Sequence, residues 1–454
     1  MRLTGFPSIV ISSLLIATAA MAATRPRYGG TLHTQMAGAV STLDPADSNQ
    51  ADTLASRNVF ALIFDSLVVL NDRGQPQPAL AISWQAEPGN QRWQFVLRPG
   101  IRFSDQTPLT PEDVAASLRR VNPGWKVTST DTALTIQLDT PSAYLPAELA
   151  LPRNRIVKFG SGKTIGTGPF VVVQWDVGKK LVLAAREDYW AGRPFLDSIE
   201  IEMGKNFREQ TIAYDLGQSQ LIEIPPDQAH HATEARQLQK SEPVELVALL
   251  FARDVQSPED SKQRQALALS MDRAMLNRVV LQGGGEPSGG LLPDWLTGYS
   301  FLFPVNANMT RAQQLRAEVP QAALWNLGFD VSDPLAQVLA ERITLNANDA
   351  GLRLQLANQG NPDVRLVRVP LASLDPHVAL AELAKSLQIP APNFLGDSFD
   401  DLYHAENAIL QSQRVIPLLH LRTVWAVSKS VRNWENDRGG NWRLPDVWLG
   451  AGKP

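Results

Sequence analysis

Not one of the 454 residues is cysteine. That excludes disulfides, thiol nucleophiles, zinc–thiolate sites and a lipid anchor carried on cysteine, so stability has to come from packing. A surplus of one charge sign is also missing, since 42 Lys and Arg stand against 46 Asp and Glu, a formal net charge of −4 spread along the chain. Without a basic stripe, neither nucleic acid nor an anionic membrane is an expected partner. Long apolar runs are scarce. Ile9 to Ala20 follows Arg2 and precedes the small-x-small triplet Ala20-Met21-Ala22; at about 12 residues it is too short for a spanning helix, which needs about 20, and reads as a leader cleaved after Ala22 that takes the mature chain out of the cytoplasm.

Catalytic signatures are absent too. There is no H-E-x-x-H and no G-x-S-x-G elbow, and the adjacent pair among the six histidines, His230-His231, points to different sides of any helix or strand. Phe159-Gly160-Ser161-Gly162-Lys163-Thr164 has the end of a phosphate loop, but Val157 stands where its first glycine belongs. No catalytic residue, metal ligand or cofactor can be named, and an enzyme is not expected.

What is present is a long chain with 44% apolar residues, enough for two or three structural units. Tyr28 to Met36 reads as a first strand, and Asp52 to Leu70 carries helical spacing through Leu54, Val59, Phe60, Ile63, Phe64 and Leu67. Thr110-Pro111-Glu112-Asp113 can cap a helix running through Leu118, and Ser257-Pro258-Glu259-Asp260 repeats the device ahead of a stripe of Ala266, Leu267, Met271, Met275 and Val279. Ser332-Asp333-Pro334 opens a helix with Leu335, Val338, Leu339 and Ile343 on one face. Strands are expected at Leu221 to Ile224, Val244 to Ala252, Leu324 to Asp330, Leu352 to Ala357 and Val364 to Val369, a helix at Phe399 to Leu410, and an apolar strand pair over Arg414 to Val427.

The richest stretch is Gly166 to Asp197, GTGPFVVVQWDVGKKLVLAAREDYWAGRPFLD. Gly-Thr-Gly-Pro supplies residues for an unusual backbone path, Phe170 to Trp175 is strand chemistry, Asp176 to Lys179 a turn, and Leu181 and Leu183 mark a return strand. In order and spacing this segment resembles the signature of the bacterial extracellular solute-binding proteins of the dipeptide, oligopeptide and nickel class. Pro78 to Trp84, Trp93 to Gly100, Phe103 to Val114 with Gln106 in place of the usual glycine, Arg264 to Arg273 and Val415 to His420 match further landmarks of that family.

The resemblance implies an α/β, two-lobed periplasmic-binding-protein fold with mixed sheets and an interlobe cleft. Residues 23–255 with 415–454 would form the first lobe, including a reduced extra subdomain near 119–165, and 256–414 the second. It also implies a periplasmic monomer that captures a small-molecule or peptide ligand and delivers it to an ABC transporter permease in the inner membrane; a fold retained as a sensor or scaffold without transport is the alternative.

Candidate ligand contacts follow from family positions: Ser41 and Thr42 on the entry loop, Arg253 where the family often has Asn in a strand near the cleft, and His420 and Arg422 on the return strand. Each has a plain structural role beside the functional one, turn capping for the first pair, core or surface packing for the others. Peptide binders of the family hold the ligand ammonium with a carboxylate three residues before an Asp-Pro pair. Here that pair is Asp375-Pro376 and Ala372 stands at the anchor. Losing a charge-assisted hydrogen bond of roughly 1.5–3 kcal/mol weakens a free amino terminus about tenfold to a hundredfold.

Overall fold

The computed structural model describes residues 25–450 apart from 48, 161–162, 234–235 and 358–359. The expected leader and the centre of the glycine-rich stretch at Ser161-Gly162 lie outside the described residues. No helix among those described is long and apolar enough to cross a membrane.

Thr31–Gln35 (β1) opens the main sheet with alternate residues buried. The chain then builds a separate antiparallel sheet from Ala81–Ala86 (β2), Arg92–Leu97 (β3), Lys126–Ser129 (β4) and Ala133–Gln137 (β5), in the order β2-β3-β5-β4. It returns to the main sheet with Phe170–Asp176 (β6), Lys180–Ala185 (β7), Ser198–Glu202 (β8), Leu221–Ile224 (β9) and the 14-residue Leu238–Phe251 (β10). The second half adds Gly285–Pro287 (β11), Leu324–Gly328 (β12), Arg353–Leu356 (β13), Val364–Pro370 (β14) and the 13-residue Val415–Val427 (β15). The ladder runs β6-β7-β8-β1-β9-β15-β10-β14-β12-β13, with β11 on β15.

Two long strands therefore join the lobes. β15 pairs through Val424–Val427 with β9 on one side and through Val415 to Ala426 with β10 on the other. The strand pair expected over Arg414 to Val427 is in fact one unbroken strand, because nearly every residue of β15 is buried and no turn residue interrupts it. Its pairing with β10 shifts register around Pro243, which has no amide to give the ladder, and again between Val247 and Ala248, opposite Leu419 and Pro417.

Beyond Pro243, β10 alternates its loyalties. Val247, Leu249 and Phe251 pack with Pro258–Ser270 and Pro334–Asp349, whereas Leu246 and Ala248 face Pro376–Ser386 and Phe399–Gln411. The result is helices on both faces of the sheet. Two expected stripes run shorter than their spacing. The helix from Pro258 stops at Ser270, where Met271 turns extended and Asp272 caps a new turn, leaving Val279 57% exposed. Val338 is 48% exposed, on the solvent side of its helix.

The signature segment acts as a clasp. Helix α1, Leu54–Ile63, ends seven residues before the expected Leu70, because the Ile63 carbonyl is taken by the Gly168 amide at 2.9 Å. A Cβ on Gly166 would stand 2.1 Å from that carbonyl oxygen, and one on Gly168 2.5 Å from its carbon. Both glycines serve this close approach, and neither has a positive φ. The next carboxylate, Asp65, accepts from Thr167 Oγ1 (3.0 Å), Tyr189 OH (3.0 Å) and Trp190 Nε1 (2.9 Å). Buried Arg186 completes the clasp by donating to the carbonyls of Arg102, Phe103 and Gly168. Gln106, at the usual glycine position, keeps the left-handed turn at φ 68°.

Candidate functional site

Asp375 and Pro376 start the helix Pro376–Ser386 (α2), with Asp375 Oδ1 accepting from the amides of His377 and Val378 at 3.0 Å each. This cap brings the His377 ring up against the Tyr144 segment that follows β5 of the small sheet. The two rings stack with centroids 4.3 Å apart, and Phe394 meets both edge-on at 5.0 and 6.0 Å. Tyr144 OH donates to Asp397 Oδ1 at 2.9 Å. Around them, between the small sheet and the second lobe, lies a cavity of about 700 Å³ that Trp125, Asp139 and Glu148 also line. That volume suits a small organic ligand.

The electrostatics of this cavity are one-sided. Its lining holds carboxylates and no lysine or arginine. Burial lowers the pKa of His377 against the upward pull of Asp375, Asp397 and Asp401, so the ring is neutral, and its Nε2 has no hydrogen-bond partner although the residue is 6% exposed. Burial likewise raises the Glu148 carboxyl. Arg153, on the turn Pro152–Asn154, is held in a two-pronged ion pair by Glu382 of α2.

Beside the cavity, the peptide anchor position is filled with apolar contacts. Ala372 packs against Ala147, Leu151 and Val378. The preceding carbonyl, Leu371 O, accepts from Arg57 Nη1 of α1 at 2.5 Å. Arg57 is 5% exposed and fixed by Asp52 at 2.6 and 2.7 Å; burial alone would lower its pKa, but Asp52, joined by Asp437 and Glu382, more than offsets this and leaves it raised. A ligand ammonium arriving here meets a methyl group and a permanent cation. The sequence carries one sign of Arg57: it falls three residues after Leu54, on the apolar stripe of its helix.

The five candidate contacts do not converge. Ser41 is exposed and bonds through its amide and hydroxyl to Gln50 Oε1, and Thr42 Oγ1 accepts from the Asp44 amide, the turn-capping role. Arg253 lies beyond the far end of β10, roughly 33 Å along the strand from the crossover at Pro243, exposed and 3.7 Å from Asp363. His420 is buried with Nε2 3.0 Å from Leu291 O, and burial pushes its pKa down to about 4. Arg422 sits at the crossover, donating to Ser241 O at 3.1 Å and Glu242 at 3.4 Å. There Thr423 N donates to Ser241 Oγ, Arg438 reaches Glu242, and Trp295 Nε1 donates to Pro243 O, so the crossover is a dense polar knot.

A second cavity of about 340 Å³ lies at the edge of the first lobe. Of its charged lining, Lys205 pairs with Glu202 and Glu200 with Lys180, while Glu209 accepts from the Asn206 amide at the start of its helix.

Residues 75–365 match the family model of bacterial extracellular solute-binding proteins, family 5 Middle. The uncharacterized protein YhjP of Bacillus subtilis (strain 168) is 37% identical over 177 residues, 36% of this chain and 30% of that protein. The probable deoxycholate-binding periplasmic protein YgiS of Escherichia coli (strain K12) is 26% identical over 346 residues, 65% of this chain and 62% of that protein. The matches thus span less than two thirds of either relative's length. The solved oligopeptide-binding protein AppA of Bacillus subtilis, in complex with a nonapeptide, superposes with a TM-score of 0.78 at 16% identity, over 94% of this chain and 100% of that one, which is a likeness of fold.

Proposed function

Because the chain belongs to the bacterial extracellular solute-binding proteins of family 5, we propose that it captures a small solute in the cavity walled by Tyr144, His377 and Phe394 and hands it to an ABC transporter permease, working as a periplasmic monomer. The observation that carries this reading is the cavity itself, about 700 Å³ lined from both sides of the lobe boundary. The mechanism needs no bond to break: solute enters between the lobes, the crossing strands β10 and β15 flex where Pro243 interrupts their ladder, and closure holds it. Ala372 and Arg57 argue against a peptide held by its amino terminus at the family position.

A thermal-shift screen of peptides, bile acids, opines, metal chelates and amines tests the reading. A ligand at 100 times its Kd adds about 2.7 kcal/mol of stability, and uptake of that compound should be lost when the gene is deleted. A binder whose uptake is unaffected by deletion supports the sensor or scaffold alternative instead, and a screen without any binder overturns solute capture.

A further inference from the structure

Resting on that reading of the cavity as the solute site, we propose that its ligand is an organic cation, with a positively charged N–H-bearing nitrogen on a flat apolar body. The lining supplies carboxylates at Asp139, Glu148 and Asp397 and no basic side chain. Among the described residues neither Glu148 nor Asp397 has an ion-pair partner: Glu148 takes only the Ser142 hydroxyl, and Asp397 only the Tyr144 phenol. Asp139 is answered by Lys126 alone, at 3.7 Å and well exposed. The guanidinium of Arg153, whose charge acts on Glu148, is shared with Glu382. An anion entering this space meets an excess of carboxylates, whereas a cation finds its counter-charge in place.

One further feature fits the same ligand. The cavity is lined by three aromatic residues, Trp125, Tyr144 and Phe394, whose π systems attract a cation as well as covering an apolar body.

Isothermal titration of the full chain with tryptamine, indole-3-acetamide and indole-3-acetate compares one apolar body carrying positive, zero and negative charge. Tryptamine should bind at least tenfold tighter than the amide, and the acetate should not bind. Asp397→Asn, which leaves Tyr144 a hydrogen-bond acceptor, and Glu148→Gln should each weaken tryptamine about tenfold, the share of one charge-assisted contact, while leaving the amide unchanged. Equal affinities, or a preference for the acetate, overturn the proposal. If no indole binds but another solute from the thermal screen does, the cation assignment falls and solute capture stands; if nothing binds, both fall.

Discussion

Replacing Glu406 by Gln should remove a pH dependence of stability that one buried carboxyl imposes. Glu406, on the helix Phe399–Gln411, is fully buried; it accepts from the amides of Leu291 and Leu292 and from Tyr299 OH at 2.6 Å. Burial pushes its pKa up from 4.5 to about 7 despite those three donors. The folded chain therefore holds a proton between pH 4.5 and 7 that the unfolded chain has released. Stability from this group is complete below pH 4.5 and is lost as pH rises toward 7, by about 1.4 kcal/mol per unit and about 3 kcal/mol in all. His420 works in the opposite direction: burial pushes it from 6.5 to about 4, so the unfolded chain binds the extra proton and stability rises with pH over that range. The raw profile mixes both, and the difference between wild type and Glu406→Gln isolates the first. The substituted amide keeps an oxygen for the two backbone donors and offers N–H to the Tyr299 hydroxyl, so the variant should fold. Urea melts at pH 4.5, 5.5, 6.5 and 7.5 measure the difference. A gap between the two proteins that stays flat, or moves in favour of wild type as pH rises, would refute the reasoning.

The clasp offers three further tests by chemical or thermal denaturation. Asp65→Ala strips the acceptor from Thr167, Tyr189 and Trp190 together and should cost about 3 kcal/mol, with Asp65→Asn milder because one oxygen remains; a change under 1 kcal/mol for the alanine would show the carboxylate to be dispensable. Gly166→Ala drives a methyl into the Ile63 carbonyl and should also cost about 3 kcal/mol, whereas alanine at Gly217, where nothing lies within 4 Å, meets only the strain of its positive φ and should cost about 1 kcal/mol. Gln106→Gly relieves a left-handed residue worth about 1–2 kcal/mol and gives back about half of that through the freer unfolded chain, so a net gain near 1 kcal/mol is expected, and a loss would mean the glutamine side chain contributes to the turn.

Local signals in the chain were legible where cause and effect are neighbours. Thr110 and Asp113 form the expected capping box ahead of Pro111, Ser257 caps as read, and Gly178 takes φ +67° in the hairpin turn. The end of α1 was not, because the group that stops it, the Gly168 amide, lies more than a hundred residues downstream. The helix Pro376–Ser386 also escaped, since its Asp-Pro opening serves equally as a ligand landmark and as a cap. The cavity posed the same problem at larger scale. Tyr144, His377 and Phe394 come from segments up to 250 residues apart and have no pattern until the fold stacks them. The chosen candidates followed positions on the entry loop and the long strands instead, where Ser41 and Thr42 serve a turn, His420 the core and Arg422 the crossover, and Arg253 stands exposed.

The place of β15 in the sheet also sets a timetable. It is the last strand of the large ladder in chain order, yet it lies between β9 and β10 and is bonded to both, and the tryptophans that close the first lobe's core, Trp425, Trp434 and Trp442, sit on it or after it. While the chain is being made, both lobes therefore wait with open strand edges until residue 427 is available, and a product that ends short of β15 exposes the edges of β9 and β10 at once. Such a fragment is a template for pairing with other chains rather than a smaller binding protein.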